Sequence, residues 1–317
     1  MVNDTLYIIT CISNPLQWTS RITLARDVIL DWAKEPNVSV VMVECVHGAR
    51  SPSLMDLTAI IDASKLTYKM VHATTAAWSK ENLMNIGVSS LPDTARYLAF
   101  FDADIRFRLP GWASGIMDAL QLYPVIQPWQ TCYDLGPNDE HLEAHSSFAS
   151  LYYKRGQSFK SKGLYGKQAF PHPGYAWAWT RVALDAVGGL FELGGMGSGD
   201  HHMALGLIGR AKESLPCSAD NAYANAVMVW QRRATALKNK LGFAPYTIEH
   251  KWHGDKNFRG YTSRWRMFIN HQFDPNEDLK RNSYGVVEFA GNKPELEREF
   301  DNYLRSRMED ANMVMRD

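Results

Sequence analysis

No apolar run in this chain of 317 residues approaches the about 20 consecutive residues that a membrane-spanning helix needs, so no membrane partner is expected. Cysteine is scarce. Cys11, Cys45, Cys132 and Cys217 lie far apart and form no C-x-x-C pair. That spacing suggests neither a disulfide framework nor a cysteine zinc site. Cys11 and Cys45 fall in apolar, strand-like runs and read as buried thiols. Charge of one sign is also missing. The chain carries 34 Lys and Arg against 34 Asp and Glu, which leaves no global electrostatic case for nucleic acid or membrane. Met1-Val2-Asn3-Asp4 lacks a basic leader, and the apolar run behind it is short. A secretory signal is therefore not expected, and the expected compartment is the cytoplasm. Internal repeats and low-complexity stretches are absent.

Aromatic residues are plentiful, with 10 Trp and 14 Tyr. Sugars and bases both stack on such rings, although most of them will serve the core. The length suits one large α/β domain or two small ones.

The first part of the chain alternates. Leu6–Ile12, Val38–Val46, Leu66–His72, Tyr97–Phe101 and Pro124–Gln127 read as strands. The segment 38–46 is apolar throughout, as expected for a strand buried on both faces. Arg21–Lys34 places apolar residues at helical spacing, and Leu54–Ser64, Asn82–Val88 and Trp112–Leu122 read as further helices. Such β–α alternation predicts a mostly parallel sheet flanked by helices, with ligands beyond the carboxyl ends of its strands. From Thr131 to Pro171 the periodicity weakens, and an irregular flap is expected. Gly174–Leu190 is ordered again, Glu213–Phe243 reads as helical, and Pro294–Met315 reads as an amphipathic helix.

Four motifs carry chemistry. In Leu98-Ala99-Phe100-Phe101-Asp102-Ala103-Asp104, two carboxylates spaced i, i+2 close an apolar strand. Residues so spaced share a face and can reach one hard cation, which commonly arrives with phosphates. Its structural alternative is a solvated turn. His172-Pro173-Gly174-Tyr175-Ala176-Trp177 sets a glycine among aromatics, where a ligand could approach the backbone or a strand could simply pack. Gly195-Met196-Gly197-Ser198-Gly199-Asp200 delivers an acid to the start of a helix, as an N-cap or a general base. His201 and His202 are adjacent and face apart, which argues against a shared metal. His250-Lys251-Trp252-His253 offers two imidazoles spaced i, i+3.

Together, and in this order, Phe101-Asp102-Ala103-Asp104, Gly197-Ser198-Gly199-Asp200 and His253 resemble the motifs of nucleotide-sugar glycosyltransferases of the GT-A fold, over roughly Leu6 to Tyr261. The pattern is nearest to family-2-like inverting enzymes, to galactosyl- and N-acetylgalactosaminyl-transferases with a late His ligand, and to bacterial and phage members bearing a Trp-His-Gly sequence. The resemblance implies a Rossmann-like α/β fold with a nucleotide-sugar-binding half (1–130), an acceptor-binding and catalytic half (131–270), and a C-terminal helical extension (271–317). It implies a Mn²⁺ or Mg²⁺ ion on Asp102, Asp104 and His253, with His250 as a supporting group or an alternative ligand. Asp200 would be the base of an inverting transfer. Thr10, Ile12, Asn14, Arg21, Trp78 and Ala103, with the two acids, would contact the donor, a UDP-sugar by resemblance. Trp129, Gly174, Tyr175, Ala176, Trp177, Gly199 and Asp200 would line the sugar and acceptor side.

One departure stands out. Position 199 is Gly, where many inverting members place Glu before the catalytic Asp, so one supporting acid is missing and a retaining mechanism stays open. The acceptor is a glycan, a protein or a hydroxymethylated DNA base. For DNA, the segments containing Arg232, Arg233 and Lys240, and Arg259, Tyr261, Arg264, Trp265 and Arg266, would supply a basic, aromatic surface and base flipping would be required. Two other classes compete. A nucleotidyltransferase or pyrophosphohydrolase could use carboxylates on a similar sheet, but Ser13-Asn14-Pro15-Leu16-Gln17-Trp18 lacks the Gly-rich basic loop expected of one. A non-catalytic sugar- or nucleic-acid-binding module would need none of these acids.

Overall fold

The computed structural model describes residues 4–156, 159, 171–215, 221–260 and 264–311. Cys217 and Tyr261 lie outside them. The first half contains β1 (Leu6–Ser13), α1 (Thr19–Trp32), β2 (Val38–His47), α2 (Leu57–Ile60), β3 (Leu66–Ala73), α3 (Lys80–Val88), β4 (Tyr97–Phe101), β5 (Ile105–Phe107), α4 (Trp112–Leu122) and β6 (Val125–Gln127). The second contains β7 (Thr131–Leu135), β8 (His141–Ser147), α5 (Phe148–Arg155), β9 (Pro171–His172), β10 (Ala176–Thr180), α6 (Arg181–Val187), α7 (Gly199–Leu207), α8 (Ala222–Ala234), β11 (Leu241–Phe243), β12 (Thr247–His250), α9 (Arg264–Asn270), β13 (Leu279–Arg281), β14 (Val287–Phe289) and α10 (Pro294–Ser306).

The main sheet has the order β11-β6-β10-β4-β1-β2-β3. It is parallel except for β10, which runs antiparallel between β6 and β4. The fold is therefore mixed α/β, with a large, mostly parallel sheet flanked by helices. Alternation along β4 shows why. Leu98 and Phe100 belong to a core shared with α3, α6, α7 and α8. Tyr97, Ala99 and Phe101 belong to the core under α1 and α4. Phe101 is fully buried against the rings of Trp32, Phe107 and Trp112 at 5.3, 5.5 and 5.8 Å. Burying such a ring stabilises the fold by roughly 1.5–3 kcal/mol, so the strand that carries the two acids is firmly anchored.

A second sheet has the order β5-β12-β7-β8-β9, and its strands β7 and β8, with α5, fall in the segment read as an irregular flap, of which residues 157, 158 and 160–170 lie outside the described ones. Over 131–155 the expectation fails because β8 is exposed along most of its length and carries few apolar residues to mark a period of two. Three helical readings also shorten. Glu44 accepts from Ser53 and Leu54 N–H, and Asp62 accepts from Ser64 N–H. These turns confine Leu54–Ser64 to the single turn of α2. Lys238 and Asn239 adopt left-handed backbone, which separates α8 from β11 within Glu213–Phe243. The tail helix ends at Ser306, and the 271–317 extension also carries the β13–β14 hairpin. Pairings of β10 with β4 and of β12 with β5 cross residue 130.

Candidate metal and acceptor site

Strand register assembles the site. β4 stops at Phe101, and the Thr10 hydroxyl donates to the Phe101 carbonyl at 2.8 Å, tying the carboxyl ends of β1 and β4 together. After the turn, β5 pairs antiparallel with β12, placing His250 opposite Ile105, next to Asp104. Lys251 N–H donates to the Asp104 carbonyl at 2.9 Å. On its other side β12 pairs with β7, setting His250 opposite Asp134. One strand thus brings His250 to both carboxylates.

Asp104, His250 and His253 converge. Nε2 of His253 lies 3.1 Å and Nε2 of His250 3.8 Å from Asp104 Oδ2, and the two imidazole nitrogens are 3.2 Å apart. Asp104 Oδ1 is buried with no hydrogen bond, an arrangement that favours a cation. Nδ1 of His250 meets Asp134 Oδ1 at 2.8 Å, which orients the ring as carboxylates orient metal-bound histidines. This oxygen-and-imidazole set fits a divalent ion. Arg259 donates to His253 Nε2 at 3.1 Å, so metal loading entails release of that contact. Asp102 is drawn away from the cluster: its Oδ1 accepts from Lys80 Nζ at 2.9 Å. Of the two roles expected for His250, supporting group or alternative ligand, its place in the cluster matches the second.

Electrostatics follow the burial. Burial alone would raise the Asp104 carboxyl, yet His250 and His253 hold it below the ordinary range. Burial, with Asp104 adjacent, raises Asp102, although Lys80 opposes this. Burial lowers His250, although Asp104 and the hydrogen bond to Asp134 oppose this. A second cluster, Asp134, Glu143 and His145, already has a cation: the Lys256 ammonium contacts Asp134 and lies 3.0 Å from His145 Nε2.

Apart from Asp134, these groups line a cavity of about 1290 Å³ that also contains Asp200, Gly174 and Tyr175. Ser198 is left-handed before α7, and its hydroxyl accepts from Arg264 at 2.6 Å. Asp200 sits in the first turn of α7, where the helix dipole favours a carboxylate. A Cβ at position 174 would stand 2.8 Å from Asp200 Oδ2, so Gly174 makes room for that carboxylate. Tyr175 takes a left-handed φ of 74°, stacks on His172 at 4.1 Å and donates to Asp134 at 2.8 Å.

The other expected contacts divide. Ile12, Asn14, Arg21, Trp78 and Ala103 line the cavity. Thr10, Trp129, Ala176, Trp177 and Gly199 do not. Thr10 is a fully buried strand tie. Trp129 is fully buried behind Tyr175, with ring centroids 5.5 Å apart. Ala176 is buried in β10, and Trp177 turns its indole N–H to the Pro173 carbonyl at 2.7 Å. The basic segment is not one surface either. Arg259 and Arg264 turn into the cavity, whereas Arg232, Arg233 and Arg266 are exposed elsewhere.

Sequence reasoning missed Lys80, Glu81, Asp134, Arg307 and Glu309. All but Asp134 line the cavity, and Asp134 supports it from behind. None of the five falls in a recognisable motif.

No family model matches the chain, and no curated protein matches it. Several solved structures do. The mannosyltransferase PcManGT from Pyrobaculum calidifontis, in complex with GDP-Man and Mn²⁺, is 14% identical over 97% of this chain and 72% of its own, with a TM-score of 0.42. GalNAc-T7 with UDP, GalNAc and Mn²⁺ is 11% identical over 95% and 54%, also at 0.42. A 4-diphosphocytidyl-2C-methyl-D-erythritol synthase from Anaerococcus prevotii is 7% identical over 77% and 88%, at 0.34. The functional reading rests on the site.

Proposed function

We propose that this chain is a metal-dependent glycosyltransferase that moves a sugar from a nucleoside-diphosphate sugar to an acceptor hydroxyl. One observation carries the reading: Asp104, His250 and His253 converge, Asp104 keeps its other oxygen buried with no hydrogen bond, and the same cavity holds Asp200. Asp104, His250 and His253 would hold the ion, with Asp102 acting through Lys80 or on the donor. Two imidazoles favour Mn²⁺ over Mg²⁺. When bound, the ion supplies positive charge against the departing diphosphate.

The chain's own groups do the rest. Asp200 takes the acceptor hydroxyl's proton. The resulting oxygen forms a bond to the anomeric carbon as the bond to the diphosphate breaks, which inverts that carbon. Arg21, Lys80 and Arg259 face the cavity and neutralise the diphosphate, and Asn14 and Trp78 flank the nucleoside side. Residues 1–130 serve the donor, and residues 131–270 serve the acceptor while adding His250, His253, Arg259 and Arg264 to the donor side. Glu81, on α3, supplies the carboxyl that position 199 lacks. A UDP-sugar is the first donor to test. The inward turn of Arg259 and Arg264 favours their use on donor phosphates, which supports a glycan or protein acceptor over hydroxymethylated DNA.

The test is release of nucleoside diphosphate from a panel of nucleotide sugars, with and without Mn²⁺, against glycans and hydroxymethylated DNA. Metal-dependent release of one nucleoside diphosphate is expected. Pyrophosphate formed from a nucleoside triphosphate, with no sugar transfer, would replace this reading with nucleotidyl transfer.

A further inference from the structure

The turn after α10 enters the metal cluster from the far end of the chain. Glu309 is 2% exposed. Its carboxylate contacts Arg21 and meets Arg307 Nε at 2.5 Å. Its Oε2 also lies 3.5 Å from His253 Nδ1, a buried nitrogen with no hydrogen bond of its own. The backbone of the turn presses on the residue after His253: a Cβ on Gly254 would stand 3.0–3.3 Å from Arg307, Met308 and Glu309 backbone atoms. Gly254 itself is left-handed, at φ 88°. The next residue, Asp310, fixes the turn from outside by accepting Thr19 and Ser20 N–H at 2.9 and 2.8 Å, at the start of α1. The two histidines are thus treated alike. Each turns Nε2 toward Asp104 and Nδ1 toward a buried carboxylate, Asp134 for His250 and Glu309 for His253.

We propose that the turn Arg307–Asp310 is a built-in part of the metal centre, in which Glu309 is a positioning residue that holds His253 with Nε2 turned to the ion. The inference rests on the metal reading above. The Glu309 carboxylate favours a proton on Nδ1, which leaves the Nε2 lone pair for coordination. Asp310 anchors the turn without touching the histidine, so the two neighbours have separable effects.

The experiment titrates Mn²⁺ into the full chain, following free ion by electron paramagnetic resonance, for the wild type, Glu309→Gln, Asp310→Asn and His253→Ala. Apo melting temperature is recorded for each. We expect Glu309→Gln to weaken Mn²⁺ binding by about 10–100-fold, and Asp310→Asn to lower the melting temperature while Mn²⁺ affinity stays within about twofold. In the wild type, ¹⁵N spectra of histidine should show His253 protonated on Nδ1, a readout that needs no variant to fold. Unchanged affinity in Glu309→Gln, parallel losses in both variants, or an Nε2-protonated His253 would overturn the role of Glu309 while leaving the metal site standing. A wild type that does not bind Mn²⁺, or a His253→Ala that binds as well as wild type, would overturn the metal reading and this proposal with it.

Discussion

Glu81 fills the space that a side chain at position 199 would need: a Cβ on Gly199 would stand 2.6 Å from Glu81 Cδ and 2.7 Å from its Oε1. The gap in the glycine-rich motif is therefore occupied by a carboxyl from another element. Gly199 begins α7, and Glu81 sits in the first turn of α3. The two helices meet at the cavity wall beside Asp200.

The contact is testable by a double-mutant cycle. Gly199→Ala forces a buried carboxyl aside and should cost about 1–3 kcal/mol in denaturant unfolding. Combined with Glu81→Ala, which vacates the space, the cost should fall by at least about 0.5 kcal/mol relative to the sum of the single effects. Additive losses would show that the close approach does not exist in solution.

Glu81 also predicts a pH dependence. Burial, reinforced by Asp200 and opposed by Lys80, pushes its carboxyl up from 4.5 to about 7. Its folded value lies above its unfolded one, so the stability it contributes is complete below pH 4.5. It is lost as pH rises to about 7, with a span of about 3 kcal/mol. Half-buried His47 and His172 and buried His202 and His250 are lowered by desolvation, and their contribution runs the other way below pH 6.5, so the total slope is not the readout. The difference from Glu81→Gln is. Glu81→Gln should gain on the wild type between pH 5 and pH 8 by up to that span. An equal difference at both pH values would mean that the wild-type carboxyl titrates normally.

How far the sequence could be read follows from where the signals lie. β1, β2 and β4 announce themselves because both faces are buried and the runs are almost wholly apolar. Asp104, Asp200 and His253 are legible because each sits in a compact local pattern. The β7–β8 hairpin is not, since its exposed strand carries polar residues. The sequence leaves the role of His250 open for a related reason: its place depends on register with Ile105 and Asp134, which no local pattern encodes. Glu81 and Glu309 are hidden for the same cause. They reach the site from α3 and from the turn after α10, and neither is flanked by anything that marks it. Trp129 errs in the other direction, as an aromatic near the right motif whose ring belongs to the core.

The metal cluster predicts a binding signature independent of turnover. At 100 times its dissociation constant, Mn²⁺ should raise unfolding free energy by about 2.7 kcal/mol. Asp104→Asn and His250→Ala should each remove most of that increment. Neither is expected to unfold the apo protein, because Asp104 is partly exposed and the hydrophobic cores do not include either side chain. Full Mn²⁺ stabilisation retained by both variants would place the ion elsewhere.

Gly174 separates positioning of Asp200 from everything else in the site. Its backbone is not left-handed, so alanine there meets only a steric objection: Asp200 Oδ2 at 2.8 Å and His172 Cε1 at 3.1 Å. His172 is stacked on Tyr175 and has little room to yield, whereas Asp200 is short and can rotate into the cavity. Gly174→Ala should therefore displace the proposed base while leaving Asp104, His250 and His253 in place. Displacements near 1 Å can cost about 100-fold in rate. With the donor and acceptor that the panel identifies, we expect kcat to fall 10–100-fold, donor KM to change less than about threefold, and Mn²⁺ affinity to stay unchanged. Undiminished kcat would remove Asp200 from the proton transfer, since its carboxylate cannot keep its present position beside an alanine.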